Sequence, residues 1–170
     1  MQYTQEQLLE HLQKYEISYQ LYTHAPVFTC EQALEITEQM NIPGAGIKNL
    51  FLKDRKKKLY LIVAINDTRV ELKKIGNVLE AKELRFADPT LLMNHLGVEP
   101  GSVTPLALIN DPEHRVQLIL DATILTQDFI QIHPLQNSAT VAMTPADLMK
   151  FLGLMDRSYI VYDFNQNEVC

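Results

Sequence analysis

The stretch "PGAGIKNLFLKDRKKKLYLIVAI", Pro43 to Ile65, decides the fold. Pro43, Gly44 and Gly46 break the chain, and two runs of strand-forming residues follow, near 47–53 and 58–65, joined by the polar turn "DRKKK". That is a hairpin pattern. Lys48 and Asn49 stand near the start of the first strand, ahead of its apolar run. A solvated strand end explains such a pair; so does a pocket in which Lys48 holds an anion.

Outward from the hairpin, helices and strands intermingle. Thr4 with Gln7 reads as a capping box opening a helix with Leu8, Leu9 and Leu12, and Thr29 with Gln32 reads as a second, with Ala33, Leu34, Ile36 and Met40 on its apolar side. "SYQLYTH" alternates as a strand does. Leu72, Ile75, Val78 and Leu79 mark a helix, "ELRF" a short strand, and Asp88, Pro89 and Gly97 bracket another helix. Strands are expected near 105–110, 115–120, 129–133 and 138–143. Thr144 and Pro145 open a last helix with Gly153 after it, and "YIVY" adds a terminal strand. No regular βαβ rhythm holds, so the expectation is an α/β (α+β) fold: a mixed, largely antiparallel central sheet surrounded by helices. Neither a dinucleotide fingerprint nor a phosphate loop occurs.

The 170 residues suffice for a single domain over 1–170 that buries a core without disulfides. The opening "MQYTQEQLLE" lacks the basic start and apolar block of a signal peptide, and no apolar run approaches a membrane span. With Cys30 and Cys170 expected as free thiols, a cytoplasmic location follows as an expectation. The net charge of −6 argues against a nucleic-acid partner until its distribution is considered. From Lys48 to Arg85 there are eleven Lys and Arg against five acids, a balance of +6, so the remainder carries −12. Such an asymmetric field can steer a polyanion to one face.

Candidate chemistry is sparse. Cys30, in the first turn of its helix and near His24, is conceivable as a thiol nucleophile. The five histidines offer no metal spacing, and neither metal nor cofactor is expected. His133 ends the apolar strand "FIQIHP", held extended by Pro134, where it can line a cleft. "GVEPGSVTP", Gly97 to Pro105, is a stiff loop able to present main-chain N–H groups to an oxyanion.

Five motifs in register carry a resemblance: "HAPVFT" (24–29), "PGAGIKNLFLKD" (43–54), "LGVEPGSVTPLALIND" (96–111), "VQLILD" (116–121) and "HPLQNSAT" (133–140). Over about residues 5–155, leaving a tail of 156–170, the chain resembles the YbaK/prolyl-tRNA synthetase-associated editing domains, and "KNLFLKD" is more like the freestanding alanyl-tRNA(Pro) deacylases (ProXp-ala, PrdX) than the cysteinyl branch. The resemblance implies a trans-editing enzyme that hydrolyses Ala-tRNA(Pro), acting on the acceptor end of mischarged tRNA, with prolyl-tRNA synthetase as a partner, no membrane, and a monomeric state. It implies Lys48, Gly101, Ser102 and His133 as catalytic, and Asn49, Phe51, His24, Thr29 and Pro105 as substrate-binding. Lys53, Arg55, Lys56, Lys57 and Lys58 would meet the tRNA. An aminoacyl ester is already activated, so a placed water, the neighbouring ribose hydroxyl as a candidate proton relay, and oxyanion donors near Gly101 and Ser102 suffice. Where family members often carry a histidine and a threonine before the lysine, this chain has Gly46 and Ile47. The alternatives are editing of another residue (Cys, Ser or Thr), a non-catalytic tRNA-binding or synthetase-associated module, and the Cys30 hydrolase.

Overall fold

The computed structural model describes residues 2–170. Its strands are β1 (Gln20–Thr23), β2 (Ala45–Lys53), β3 (Leu59–Ile65), β4 (Arg85–Phe86), β5 (Val116–Asp121), β6 (Ile130–Ile132), β7 (Ala139–Met143), β8 (Tyr159–Asp163) and β9 (Glu168–Val169). They form one sheet in the order β1-β7-β6-β2-β3-β5-β8-β9, with β4 against the far end of β2. Five of the pairings are antiparallel; β2 with β6, β3 with β5 and β5 with β8 are parallel. The mixed, mostly antiparallel sheet matches the expectation. The segment beyond residue 155 supplies β8, which pairs with β5.

Helices α1 (Gln5–Lys14), α2 (Cys30–Met40), α3 (Leu72–Val78), α4 (Pro89–Leu96) and α5 (Pro145–Leu154) cover the sheet. None is long and apolar enough to cross a membrane among the described residues. β3 is buried from Leu59 to Ala64 because both its faces meet a core, which is why its sequence is a continuous apolar run. One face (Leu59, Leu61, Val63) packs with Leu8 and Leu12 of α1, Leu92 and Leu96 of α4, and Phe151 of α5. The other (Tyr60, Ile62) packs with Ile75 of α3, Tyr162 and Phe164.

Three local expectations need correction. Residues 105–110 form a 3₁₀ helix rather than a strand; Thr104 accepts from the Leu106 N–H and Pro105 leads, the same start signature that opens α4 and α5. A short apolar run does not reveal its period, and here the capping residue decides. The box at Thr29 is half formed: its hydroxyl accepts from Gln32 N, but Gln32 Oε1 accepts from Phe28 N at 2.7 Å. Gly153 lies inside α5, which stops at Leu154.

Candidate functional site

β2 lies along β3 from Ile47 to Lys53. Its other edge pairs with β6 only at Ala45 and Gly46, and with β4 only at Leu52 and Lys53. From Ile47 to Leu50 the edge is open and faces a cleft, and beyond it Ala87 N donates to Phe51 O at 3.0 Å. The register that matches Gly46 to Gln131 would, if continued, bring His133 beside Lys48; instead the strands part there, and the space between them is the site. The first turn of α2 and the loop before it form one wall, and Gly101 and Val103 form another.

The cleft has two chambers. The inner, about 130 Å³, reaches His24, Ile36, Thr37, Gln131, Ile132 and Thr140. The outer, about 230 Å³, reaches Thr29, Cys30, Lys48, Asn49, Gly101 and Val103. Val27, Ala33, Ile47, Asn66 and His133 line both. These five mark the passage between the chambers.

Lys48 is half-buried, and its Nζ donates to the Thr68 carbonyl. Thr68 is fixed in turn, its hydroxyl donating to Asp121 Oδ2 at 2.6 Å. Asp121, buried at the end of β5, also accepts from Ile65 N and Thr123 N. One ammonium N–H is thereby spent, and two remain for a ligand. His133 Nδ1 is 3.0 Å from the Ala139 carbonyl. A carbonyl only accepts, so Nδ1 carries the proton and Nε2 presents its lone pair. Burial holds the His133 pKa below the ordinary 6.5, against the opposing Ala139 hydrogen bond and with help from His24. His24 is committed at both nitrogens, to Ala25 O and Thr140 Oγ1, each at 2.8 Å. Among the described residues Asn49 Oδ1 is buried without a hydrogen-bond partner, on a residue that lines the outer chamber. Gly101 has φ +90°, which calls for glycine, while a Cβ there would meet nothing nearer than 3.9 Å.

Against this geometry, the profile of the aminoacyl-tRNA editing domain matches residues 24–151. The chain belongs to that family. Its relatives include the zebrafish (Danio rerio) prolyl-tRNA synthetase associated domain-containing protein 1, 35% identical over 161 residues, covering 94% of this chain and 86% of that one. The prolyl-tRNA editing protein ProX of Acetoanaerobium sticklandii is 33% identical over 144 residues, 83% of this chain and 85% of its own. A solved structure of a candidate trans-editing enzyme for prolyl-tRNA synthetase superposes with TM-score 0.68 over 96% of this chain and 98% of its own. At 19% identity that likeness speaks for the fold alone.

Within this editing domain the sequence-derived residues divide. Lys48, Asn49, Gly101, His133 and Thr29 line the outer chamber, and His24 and His133 line the inner. Three others do not reach the cleft. Ser102 is buried and its N–H donates to Glu99 O at 3.0 Å, so it is no free oxyanion donor. Phe51 is a core residue, and Pro105 is buried at the head of the 3₁₀ helix. Cys30 is exposed, and His24, the partner expected for it, has both nitrogens engaged. Sequence reasoning missed Asn66, Thr68 and Asp121. Only a strand-end asparagine following β3 hinted at the first.

The basic turn lies at the other end of β2, five residues and about 17 Å from Lys48 at strand rise. Asp54, buried inside it, accepts from Lys58 N at 2.9 Å and from the Tyr60 hydroxyl at 3.1 Å, so the turn is built rather than loose. Lys53, Lys57, Lys58, Arg85, His95 and Arg115 line a groove of about 710 Å³ there, with Asp88 paired to Lys53 at 3.5 Å. Arg55 and Lys56 are exposed beside it.

Proposed function

We propose that this protein is a trans-editing deacylase that hydrolyses the ester of mischarged tRNA(Pro), with alanine as the residue removed. The relatives' names supply the prolyl context; the inner chamber supports the choice of alanine. At about 130 Å³ it is well under half the smallest usual ligand pocket of about 300 Å³. Away from the passage, where Asn66 and His133 face the ester, its polar groups are satisfied internally. Thr37 donates to Ala33 O or Gln131 Oε1, Gln131 Nε2 donates to Ile42 O and Gly44 O, and Thr140 meets His24. A methyl group enters such a chamber at no polar cost. A serine or threonine hydroxyl would be buried unpaired, a loss of about 1–3 kcal/mol. The larger proline ring would overpack it by a similar amount. The self-satisfied far end of the inner chamber, at His24, Thr37, Gln131 and Thr140, is the observation that carries this reading.

The chemistry follows from the order of the chambers. With the side chain inside and the terminal adenosine outside, the ester carbon sits in the passage beside His133. Its Nε2 takes a proton from a water whose oxygen bonds to the carbonyl carbon, and the carbonyl π pair moves onto oxygen. Collapse breaks the bond to the ribose oxygen, which receives the proton, releasing the amino acid and the uncharged 3′ end. Lys48 uses its two remaining N–H groups on the terminal phosphate or ribose. Asn49 Oδ1 accepts from the ammonium or the adenosine. The groove at the far end of β2 takes stem phosphates.

The test is single-turnover hydrolysis of tRNA(Pro) charged with Ala, Ser, Thr, Cys or Pro. Alanine should leave fastest, with the hydroxyl residues about 5–150-fold slower. Faster loss of Ser, Thr or Cys would replace the alanine reading. Tight binding with no hydrolysis of any ester would leave a non-catalytic tRNA module instead.

A further inference from the structure

We propose that Asn66 is a catalytic residue of this site: its side-chain amide donates to the oxyanion, and Gly46 is glycine to make room for it. The inference rests on the site being an aminoacyl-ester hydrolase. Asn66 directly follows β3, and its main-chain N–H donates to Gly46 O at 3.0 Å, closing the β2–β3 ladder. The side chain then lies over Gly46, where a Cβ would overlap Asn66 Nδ2. Gly46 has no positive φ, unlike Gly44 at +99°. The backbone therefore does not demand glycine at 46; a side chain there would instead have to displace the carboxamide.

Of the five residues lining both chambers, only Asn66 and His133 have polar side chains. Their roles are complementary. His133 offers a lone pair and Asn66 an N–H, which are what the attacking water and the carbonyl oxygen respectively need. Among the described residues the Asn66 carboxamide has no hydrogen-bond partner, so its N–H is free to act. The donor expected from the loop at Ser102 is spent on Glu99. As the carbonyl π pair moves onto oxygen, the Nδ2–H meets the new charge, and it lets go when the ribose oxygen departs. Removing one side-chain donor of this kind costs about 10²–10³ in kcat.

The experiment is steady-state and single-turnover hydrolysis of Ala-tRNA(Pro) by Asn66→Ala, Gly46→Ala and the double variant, with thermal melting of each. Asn66→Ala should lower kcat at least about 100-fold with KM nearly unchanged and the melting temperature close to wild type. Asn66→Asp, a pure acceptor bearing charge at the oxyanion, should be slower still. Gly46→Ala displaces the amide, so the double variant should be no slower than the worse single one. An Asn66→Ala enzyme with wild-type kcat, or multiplying losses in the double variant, overturns the inference while leaving the deacylase reading standing. If Gly46→Ala fails to fold, Asn66→Ala decides alone. No hydrolysis by the wild-type protein overturns both.

Discussion

Replacing His133 by asparagine separates the two jobs of the imidazole. Asparagine can keep a donor where Nδ1 meets the Ala139 carbonyl, while the acceptor Nε2 is lost. If Nε2 takes the proton from water, kcat should fall about 10²–10⁴-fold, or roughly 3–5 kcal/mol of barrier, with KM little changed. The retained bond to Ala139 limits the stability loss to about 1 kcal/mol. The pH profile sharpens the test. Burial lowers the His133 pKa below 6.5, so the ring is neutral and active at neutral pH. The wild-type rate should be flat there and fall only once pH drops below that lowered pKa; in His133→Asn the acid limb should vanish. Stability carries the same sign. The unfolded chain takes up the proton first, so the contribution of the neutral ring is whole above pH 6.5 and is lost as pH falls through the folded-state pKa. The assay is single-turnover release of labelled alanine from Ala-tRNA(Pro) between about pH 5 and pH 8. A variant within about threefold of wild type, or one that keeps the acid limb, would refute proton transfer by His133 and move the role to the ribose hydroxyl.

Lys48→Met keeps the aliphatic stem and removes the ammonium that bonds Thr68 O, so kcat/KM should drop about 10–150-fold with unchanged melting; normal turnover would end its role. Lys57→Ala and Arg85→Ala should weaken tRNA binding and each lower the slope of log affinity against log salt by about 1, whereas an unchanged slope would mean that the groove meets no phosphate. Arg157 donates to Asp111 Oδ2 and to the carbonyls of Leu108, Asp111 and Val116, all buried, so Arg157→Leu should cost about 3–5 kcal/mol in urea unfolding. A loss under about 1 kcal/mol would show the pair to be dispensable.

The hairpin was legible because both its signals are local: an apolar run long enough to be a strand, and a turn whose polar residues stand between two such runs. The caps of α1, α4 and α5 were legible for the same reason. What failed was the segment from Pro105 to Asn110, where the short apolar run Leu106 to Ile109 reads equally as strand or helix. Its capping threonine is the tie-breaker, and the same Thr-Pro pair opens α5. Leu34 failed differently. It sits at helical spacing on α2 yet is 57% exposed, because that helix roofs a cleft instead of a core. An apolar face without a core beneath it leaves periodicity intact and burial unpredictable.

For the candidate site, sequence could mark polar residues at strand ends but not which way the chain turns after them. Lys48, Asn49 and His133 were marked because polar side chains interrupt apolar strands there. Ser102 was marked for its place in a stiff loop, but its N–H closes a turn onto Glu99, a geometry that spacing does not encode. The roles of Asn66 and Asp121 were not legible because they depend on pairing. β3 runs antiparallel to β2 and parallel to β5, which puts the C-terminal ends of β3 and β5 beside the N-terminal end of β2. That topology sets Asn66 over Gly46 and lets Asp121 fix the loop that holds Lys48. Parallel pairing of β6 with β2 then points His133 along the strand toward the same spot. The site arises where three strands reach one open edge. Each polar residue there therefore depends on register, and a shift of one residue in the β2–β3 pairing would turn Lys48 away from the cleft while leaving the sequence pattern unchanged.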